Sequence, residues 1–278
     1  MQELDQALIG RLLAAQFPTW AGLAMELFLP SGTDNQLYRL GNDKVLRFPR
    51  STGTNQTLKK EREWLPRLAP QLPLAIPIPL ASGAPGEGYL FEWAVYSWLP
   101  GENLVDTPVR DKNQLALDMA QFITALQRIS PQGGPLPAEH NFFRGVPLQQ
   151  RDAATRKAIE ALGPQIDVNA VNALWEAALL APRWSGPPVW IHGDLDARNL
   201  LAQNGRLSAV IDFGGLGVGD PACDMMVAWK ILPADARQIF KKALAVDEAT
   251  WVRAQGWVLS QALMILSYYT METNALLV

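Results

Sequence analysis

The stretch 189–224, VWIHGDLDARNLLAQNGRLSAVIDFGGLGVGDPACD, decides how the rest of the chain is read. It holds a short loop, His192-Gly193-Asp194-Leu195-Asp196-Ala197-Arg198-Asn199, and a second acid at Asp212. An apolar run precedes each of them, at residues 188–191 and 207–211. That pattern predicts two buried strands, each delivering a carboxylate-bearing loop to a common edge. Two such acids, with a side-chain amide at Asn199, suit a metal-assisted transfer reaction.

Working outward, residues 101–188 read as helix. Leu115, Met119, Phe122, Ile123, Leu126 and Ile129 trace one face of a long helix that stops at Pro131. A loop holding His140-Asn141-Phe142-Phe143-Arg144 follows, then two helices near 149–162 and 168–181. Beyond the central stretch, helices fit 221–232, 234–245 and 248–270. Trp229, Trp251 and Trp257 read first as core residues of those helices, and second as lining of an acceptor pocket.

The first hundred residues have a different character. A short amphipathic helix at 3–16 precedes strand-like sequence at 23–29 and a run of turn formers at 30–35. The turn Gly41-Asn42-Asp43 joins two strands, Gln36-Leu37-Tyr38-Arg39-Leu40 and Lys44-Val45-Leu46-Arg47-Phe48. A helix at about 56–68 buries Leu58, Trp64, Leu65 and Leu68, and Glu61 shares that face. Six prolines between Pro66 and Pro85 then exclude regular helix, and 89–98 alternates as one or two strands. The fold class expected is α+β and bilobal. A small antiparallel-sheet lobe with one helix spans 1–100, and a larger, mainly helical lobe spans 101–278.

Composition narrows the class further. Of 278 residues, 49% are hydrophobic and 18% charged, which fits an ordinary packed core. The net charge of −3 and a pI near 5.5 argue against a nucleic-acid partner, since such binders usually show a basic face. One cysteine, Cys223, leaves no internal disulfide or thiolate cluster and reads as a buried structural thiol. No apolar stretch is long enough to span a membrane, and the first residues carry acids where a secretory signal carries cations. A cytoplasmic protein with no membrane partner is expected.

Phosphoryl transfer needs magnesium to neutralise the phosphates, a carboxylate to orient the attacking hydroxyl, and fixed positive charge on the phosphate chain. Magnesium keeps several waters, so one Asp and one Asn suffice when a nucleotide supplies further oxygens. Asp194, Asn199 and Asp212 match that demand.

His192-Gly193-Asp194-Leu195 with Asn199, then Ile211-Asp212-Phe213-Gly214 and Gly219-Asp220-Pro221-Ala222-Cys223-Asp224, resemble the aminoglycoside phosphotransferase family. That family has a protein-kinase-like fold and includes macrolide, choline and other small-molecule kinases. Leu37-Tyr38-Arg39-Leu40-Gly41, the strand ending in Arg50 and the turn Ser97-Trp98-Leu99-Pro100-Gly101 are similar too, so the resemblance covers nearly the whole chain.

The resemblance implies Asp194 as the catalytic carboxylate and Asn199 and Asp212 as Mg2+ ligands. Arg47 stands where such proteins place a phosphate-contacting lysine, with Glu61 as its helix partner. Trp98 and Leu99 would meet the nucleobase through their backbone, with Tyr96 just inside, and Ser31, Gly32 and Thr33 would cover the phosphates. The co-substrate implied is ATP or GTP, and the acceptor a hydroxyl of a small molecule such as an aminoglycoside, a macrolide or a metabolite. His192 reads as a loop-organising residue, His140 as a structural one, and Asp220 and Asp224 as caps and loop supports rather than metal ligands.

Some features depart from the family pattern. There is no G-x-G-x-x-G, and Asp196-Ala197-Arg198 replaces the usual loop interior. An acid at 196 repels phosphate unless it is paired, and Arg198 is the partner within reach. Between Met225 and Val278, Asp235, Asp247, Glu248 and Glu272 face Lys230, Arg237, Lys241, Lys242 and Arg253, a poor trap for a polycation. With Trp251, Trp257, Tyr268 and Tyr269 nearby, a neutral or partly apolar acceptor fits as well, so antibiotic resistance is an implied possibility only. Two rivals stand beside the kinase reading. One is a catalytically weak nucleotide-binding pseudokinase scaffold, and the other a metal-dependent phosphohydrolase.

Overall fold

Alternation along two strands explains how the first lobe is built. In the computed structural model, which describes residues 4–28 and 35–268, strands β1 (Met25–Leu27), β2 (Asn35–Leu40) and β3 (Lys44–Pro49) form an antiparallel meander. Strands β4 (Pro79–Gly83) and β5 (Trp93–Ser97) complete a sheet of order β1-β2-β3-β5-β4. Successive side chains point to opposite faces. Leu46, Phe48, Trp93 and Val95 therefore pack on one face with Leu8, Ile9, Leu12 and Leu13 of helix α1 (Gln6–Gln16). Val45, Arg47, Ala94 and Tyr96 occupy the other positions of the same strands, and Ala94 and Tyr96 join the core that contains helix α2 (Thr52–Leu68). The sheet thus has a helix on each face, α1 being the short helix read at 3–16 and α2 the one read at about 56–68.

Local chemistry sets the differences at element ends. Helix α2 begins four residues ahead of the expected Gln56, because the Ser51 hydroxyl caps it by accepting from the Thr54 N–H. That cap offsets the weak helix propensity of Thr52, Gly53 and Thr54. Strand β4 falls inside the proline-rich segment, where only an edge strand tolerates a residue without a backbone donor.

The second lobe is mainly helical: α3 (Lys112–Arg128), α4 (Asp152–Leu162), α5 (Val168–Leu180), α6 (Ala222–Met225), α7 (Val227–Ile231), α8 (Ala234–Leu244) and α9 (Glu248–Tyr268). Short strands carry the loops: β6 (Glu102–Asn103), β7 (Val189–Ile191), β8 (Leu200–Gln203), β9 (Arg206–Val210) and β10 (Gly217–Gly219). The strands β7 and β9 fall on the two apolar runs, but they do not pair with each other. Strand β7 pairs with β10, and β9 pairs with β8, which extends to β6. Trp251 and Trp257 are buried in the core, and Cys223 lies with them, its thiol pushed up to about 12 by burial. Among the described residues no helix is long and apolar enough to cross a membrane.

Candidate active site

The two loops meet backbone to backbone. Gly193 has φ +83, and a Cβ there would lie 2.4 Å from the Gly215 carbonyl oxygen, so only glycine fits both the conformation and the space. Beneath them sits Asp224, fully buried, whose carboxylate accepts from the backbone N–H groups of His192 and Gly193 at 2.7 Å each. Burial raises its pKa, and the His192 ring and the two amide donors act in the opposite direction. The buried His192 ring bridges the loops, with Nε2 3.0 Å from the Ile211 oxygen and Nδ1 accepting from the Asp194 N–H. Asp220 caps the next turn through the Ala222 N–H and is held by Arg253 at 2.8 Å. These three residues hold the loops from below, with no carboxylate left over for a ligand.

That support positions Asp194 and Asn199. The Asn199 amide nitrogen donates to the Asp194 backbone oxygen at 2.8 Å and lies 3.4 Å from its carboxylate. With Nδ2 so fixed, Oδ1 is the Asn199 atom left to meet a cation. The Ile211 N–H donates to the Asn199 oxygen at 2.9 Å, which sets Asp212 beside Asn199 across the end of the β8–β9 hairpin. Asp212 has φ 61, a conformation rare outside glycine, and its carboxylate is half exposed. Among the described residues no cluster of three His, Cys, Asp or Glu side chains could hold a metal. Asn199 and Asp212 form instead a sparse oxygen pair, suited to a hard cation that completes its shell with phosphate and water.

Arg47 approaches from the first lobe. Its guanidinium donates to both Glu61 oxygens at 2.8 and 2.9 Å and lies 3.7 Å from Asp212. The Tyr96 hydroxyl donates to Glu61 Oε2 at 2.6 Å. Burial works against the Arg47 charge, but Glu61, Tyr96 and Asp212 more than offset it and hold the group protonated. Tyr96 is buried in this network, so its side chain belongs to the Arg47–Glu61 pair. In the linker, the Trp98 N–H donates to the Asp43 oxygen at 2.8 Å, while the ring meets Phe28 and Arg39. Leu99 is half-buried beside it. Ser31, Gly32 and Thr33 lie outside the described residues, as does Tyr269.

Several contacts were not foreseen from the residues. Lys60, next to Glu61 on α2, donates to the Gly214 oxygen at 2.7 Å and to the His140 oxygen at 3.3 Å, tying the helix to the Asp212 loop. Burial lowers its pKa to about 8. His140 takes part through its backbone; its ring Nε2 is buried without a partner among the described residues. Around Asp194 stand Arg144 at 3.6 Å, Lys230 at 4.0 Å and the Gln261 amide at 3.3 Å. Burial pushes the Asp194 pKa up, but Arg144 and Lys230 lead the charges that outweigh it, so the carboxyl sits below its usual range. No periodicity or motif marks these three residues, because they reach the site from a loop and two separate helices. Asp196 is paired as its sequence position requires, bonded to the Arg198 guanidinium and 3.8 Å from Lys230.

A sheet lobe and a helical lobe joined at a pair of acid-bearing loops is the architecture of a small-molecule kinase. The phosphotransferase enzyme family model matches residues 27–257, and the chain belongs to that family. Solved structures agree in fold. The GDP complex of aminoglycoside 2'-phosphotransferase-IIIa superposes with a TM-score of 0.76 at 22% identity, over 95% of this chain and 91% of that one. A macrolide 2'-phosphotransferase from Brachybacterium faecium gives 0.68 at 22% identity, over 98% and 95%. The APH(2")-IIa complex with streptomycin and ATP gives 0.66 at 20% identity, over 100% and 95%. Among curated proteins no match was found.

Proposed function

We propose that the protein transfers the γ-phosphoryl group of a magnesium-bound nucleoside triphosphate, ATP or GTP, to a hydroxyl of a small molecule. The observation that carries this reading is one connected set of charges. Arg47 is bonded to Glu61 and near Asp212, and Asp212 stands beside Asn199, which is bonded to Asp194. A phosphate chain lying between the lobes would meet the Arg47 fork at one end and the Asp194 carboxylate at the other. Asn199 and Asp212 would hold the magnesium, which when bound neutralises charge on the phosphates.

The roles follow from the local chemistry. Asp194, kept ionised by Arg144 and Lys230, accepts a hydrogen bond from the acceptor hydroxyl and takes its proton as the new O–P bond forms. The bond to the nucleoside diphosphate breaks, and the diphosphate leaves with the electron pair. The linker at Trp98 and Leu99 would meet the nucleobase through the Leu99 N–H and a backbone carbonyl, since the Trp98 N–H already serves Asp43. Ser31, Gly32 and Thr33 would close over the phosphates. Residues 1–100 and 101–278 would act as the nucleotide lobe and the acceptor lobe.

The neighbours bound to GDP, to streptomycin with ATP, and named for macrolides support a nucleotide donor and a small alcohol acceptor for this chain as well. The neutralised Asp196 weakens the pseudokinase alternative, since its charge is met by Arg198 and Lys230 instead of facing the phosphates. Calorimetry tests the reading. Nucleotide is expected to bind in magnesium and to lose most of its affinity in Asp212→Ala or in chelator; equal binding with and without magnesium overturns the metal assignment.

A further inference from the structure

The charges around Asp194 bear on what kind of alcohol is phosphorylated. Three cations lie within 4.0 Å of the Asp194 or Asp196 carboxylates: Arg144, Lys230 and Arg198. By direct ion pairs these three cations face two acids, a local surplus of one positive charge (three minus two); of the acids further out, Asp212 lies with Arg47 and Asp224 is held by the His192 and Gly193 N–H groups. Arg198 is occupied, since its side chain and backbone N–H both bond to Asp196. The other two cations are held more loosely, by ion pairs alone. Among the described residues Lys230 makes no hydrogen bond, and its contacts are ion pairs at 3.8 and 4.0 Å, although its side chain is only 16% exposed. Arg144 reaches Asp194 at 3.6 Å, while its Nε is buried with no hydrogen-bond partner among the described residues. Gln261, 7% exposed, donates to Asp194 through Nε2, and its Oε1 is buried without a partner among the described residues.

Buried donors and charges normally carry hydrogen-bond partners. Two cations held only by ion pairs of 3.6 Å or longer, with Arg144 Nε and Gln261 Oε1 unbonded among the described residues, leave hydrogen-bonding capacity beside the carboxylate that meets the acceptor. Their surplus sign is positive. An amino sugar would bring several ammonium groups against Lys230 and Arg144, and like charges in a partly buried site repel strongly. We infer that the acceptor is an alcohol carrying a negative charge of its own, a carboxylate or phosphate, which Lys230 and Arg144 bind while its hydroxyl meets Asp194. Gln261 Oε1 then accepts from a second hydroxyl of the same molecule. The inference rests on the kinase reading above and narrows it to a substrate class.

The test is a phosphorylation screen of the 278-residue chain with magnesium-nucleotide against hydroxy acids, sugar phosphates, neutral sugars and amino-sugar antibiotics. It is followed by Lys230→Gln, Lys230→Arg and Arg144→Gln on the best acceptor. The expected best acceptor is anionic. Lys230→Gln is expected to raise its KM roughly tenfold or more while kcat changes far less, and Lys230→Arg to recover most of the loss. A best acceptor that is neutral or polycationic overturns the inference, and so does an anionic acceptor whose KM ignores both Lys230→Gln and Arg144→Gln. If nucleotide binds and is hydrolysed yet no anionic alcohol is phosphorylated, the substrate class is wrong and the kinase site stands. If no nucleotide binds, the kinase reading itself fails and takes the inference with it.

Discussion

Replacing Arg47 by methionine removes one side of the best-defined ion pair in the first lobe. The Arg47 side chain is 14% exposed and that of Glu61 1%, so Arg47→Met leaves a carboxylate in the core with the Tyr96 hydroxyl as its one remaining hydrogen-bond partner among the described residues. Removing one partner of a buried pair costs about 3–5 kcal/mol, mostly because the remaining charge is left uncompensated. The surviving Tyr96 bond and the partial exposure of Arg47 put the expected loss near the lower end, about 3 kcal/mol. At roughly 2–4 °C per kcal/mol for a chain of this size, Tm is expected to fall by about 6–12 °C. Scanning calorimetry and urea unfolding measure it without any substrate. The pair and not the arginine alone is responsible, so Arg47→Met/Glu61→Leu is expected to be less damaging than the sum of its parts, with a coupling of about 2 kcal/mol. A loss below about 1 kcal/mol for Arg47→Met, or simple additivity in the double variant, refutes the reasoning.

Other expectations follow from the same contacts. Gly193→Ala meets both a left-handed backbone and the Gly215 oxygen at 2.4 Å, whereas Gly205→Ala has a similar φ of +76 and open space; urea unfolding is expected to show about 1 kcal/mol lost for Gly205→Ala and clearly more for Gly193→Ala. Lys60, lowered to about 8 against 10.5 in the unfolded chain, loses its proton first in the folded state. The unfolded chain then binds more protons between those values, so stability is expected to rise with pH from about 8 to about 10.5, by at most about 3 kcal/mol from this group. Lys60→Met should flatten that rise in a pH series of unfolding curves. Asp196 caps its own turn by accepting from the Arg198 N–H, so Asp196→Ala is expected to cost about 1 kcal/mol more stability than Asp196→Asn, which keeps an accepting oxygen.

Much of this site was legible because its residues sit at short, fixed spacings. The loop from His192 to Asn199 and the acid at Asp212 each follow an apolar strand, whereas Arg47 and Tyr96 were singled out only by the family resemblance, and the structure puts both beside Glu61. Strand β8 was missed although its signal was present: Asn204-Gly205, both with positive φ, form a tight turn between apolar runs. Strand β4 gave no such signal, because an edge strand of prolines and small residues has no alternation to read. The partners of Asp194 lay beyond local pattern altogether. Arg144, Lys230 and Gln261 come from a loop, α7 and α9, and converge only once the helices pack. Lys60 was hidden by its type, since a lysine on a helix reads as solvated until its carbonyl partners from two other loops are known.

The central claim is tested most directly by following isotopically labelled γ-phosphate in a reaction with magnesium, nucleotide and a pool of small alcohols, comparing the native protein with Asp194→Asn. The label is expected on an alcohol oxygen, with transfer dependent on magnesium and reduced by a factor of about 10² or more in the variant. Label appearing only as inorganic phosphate, at a rate Asp194→Asn leaves unchanged, would contradict it.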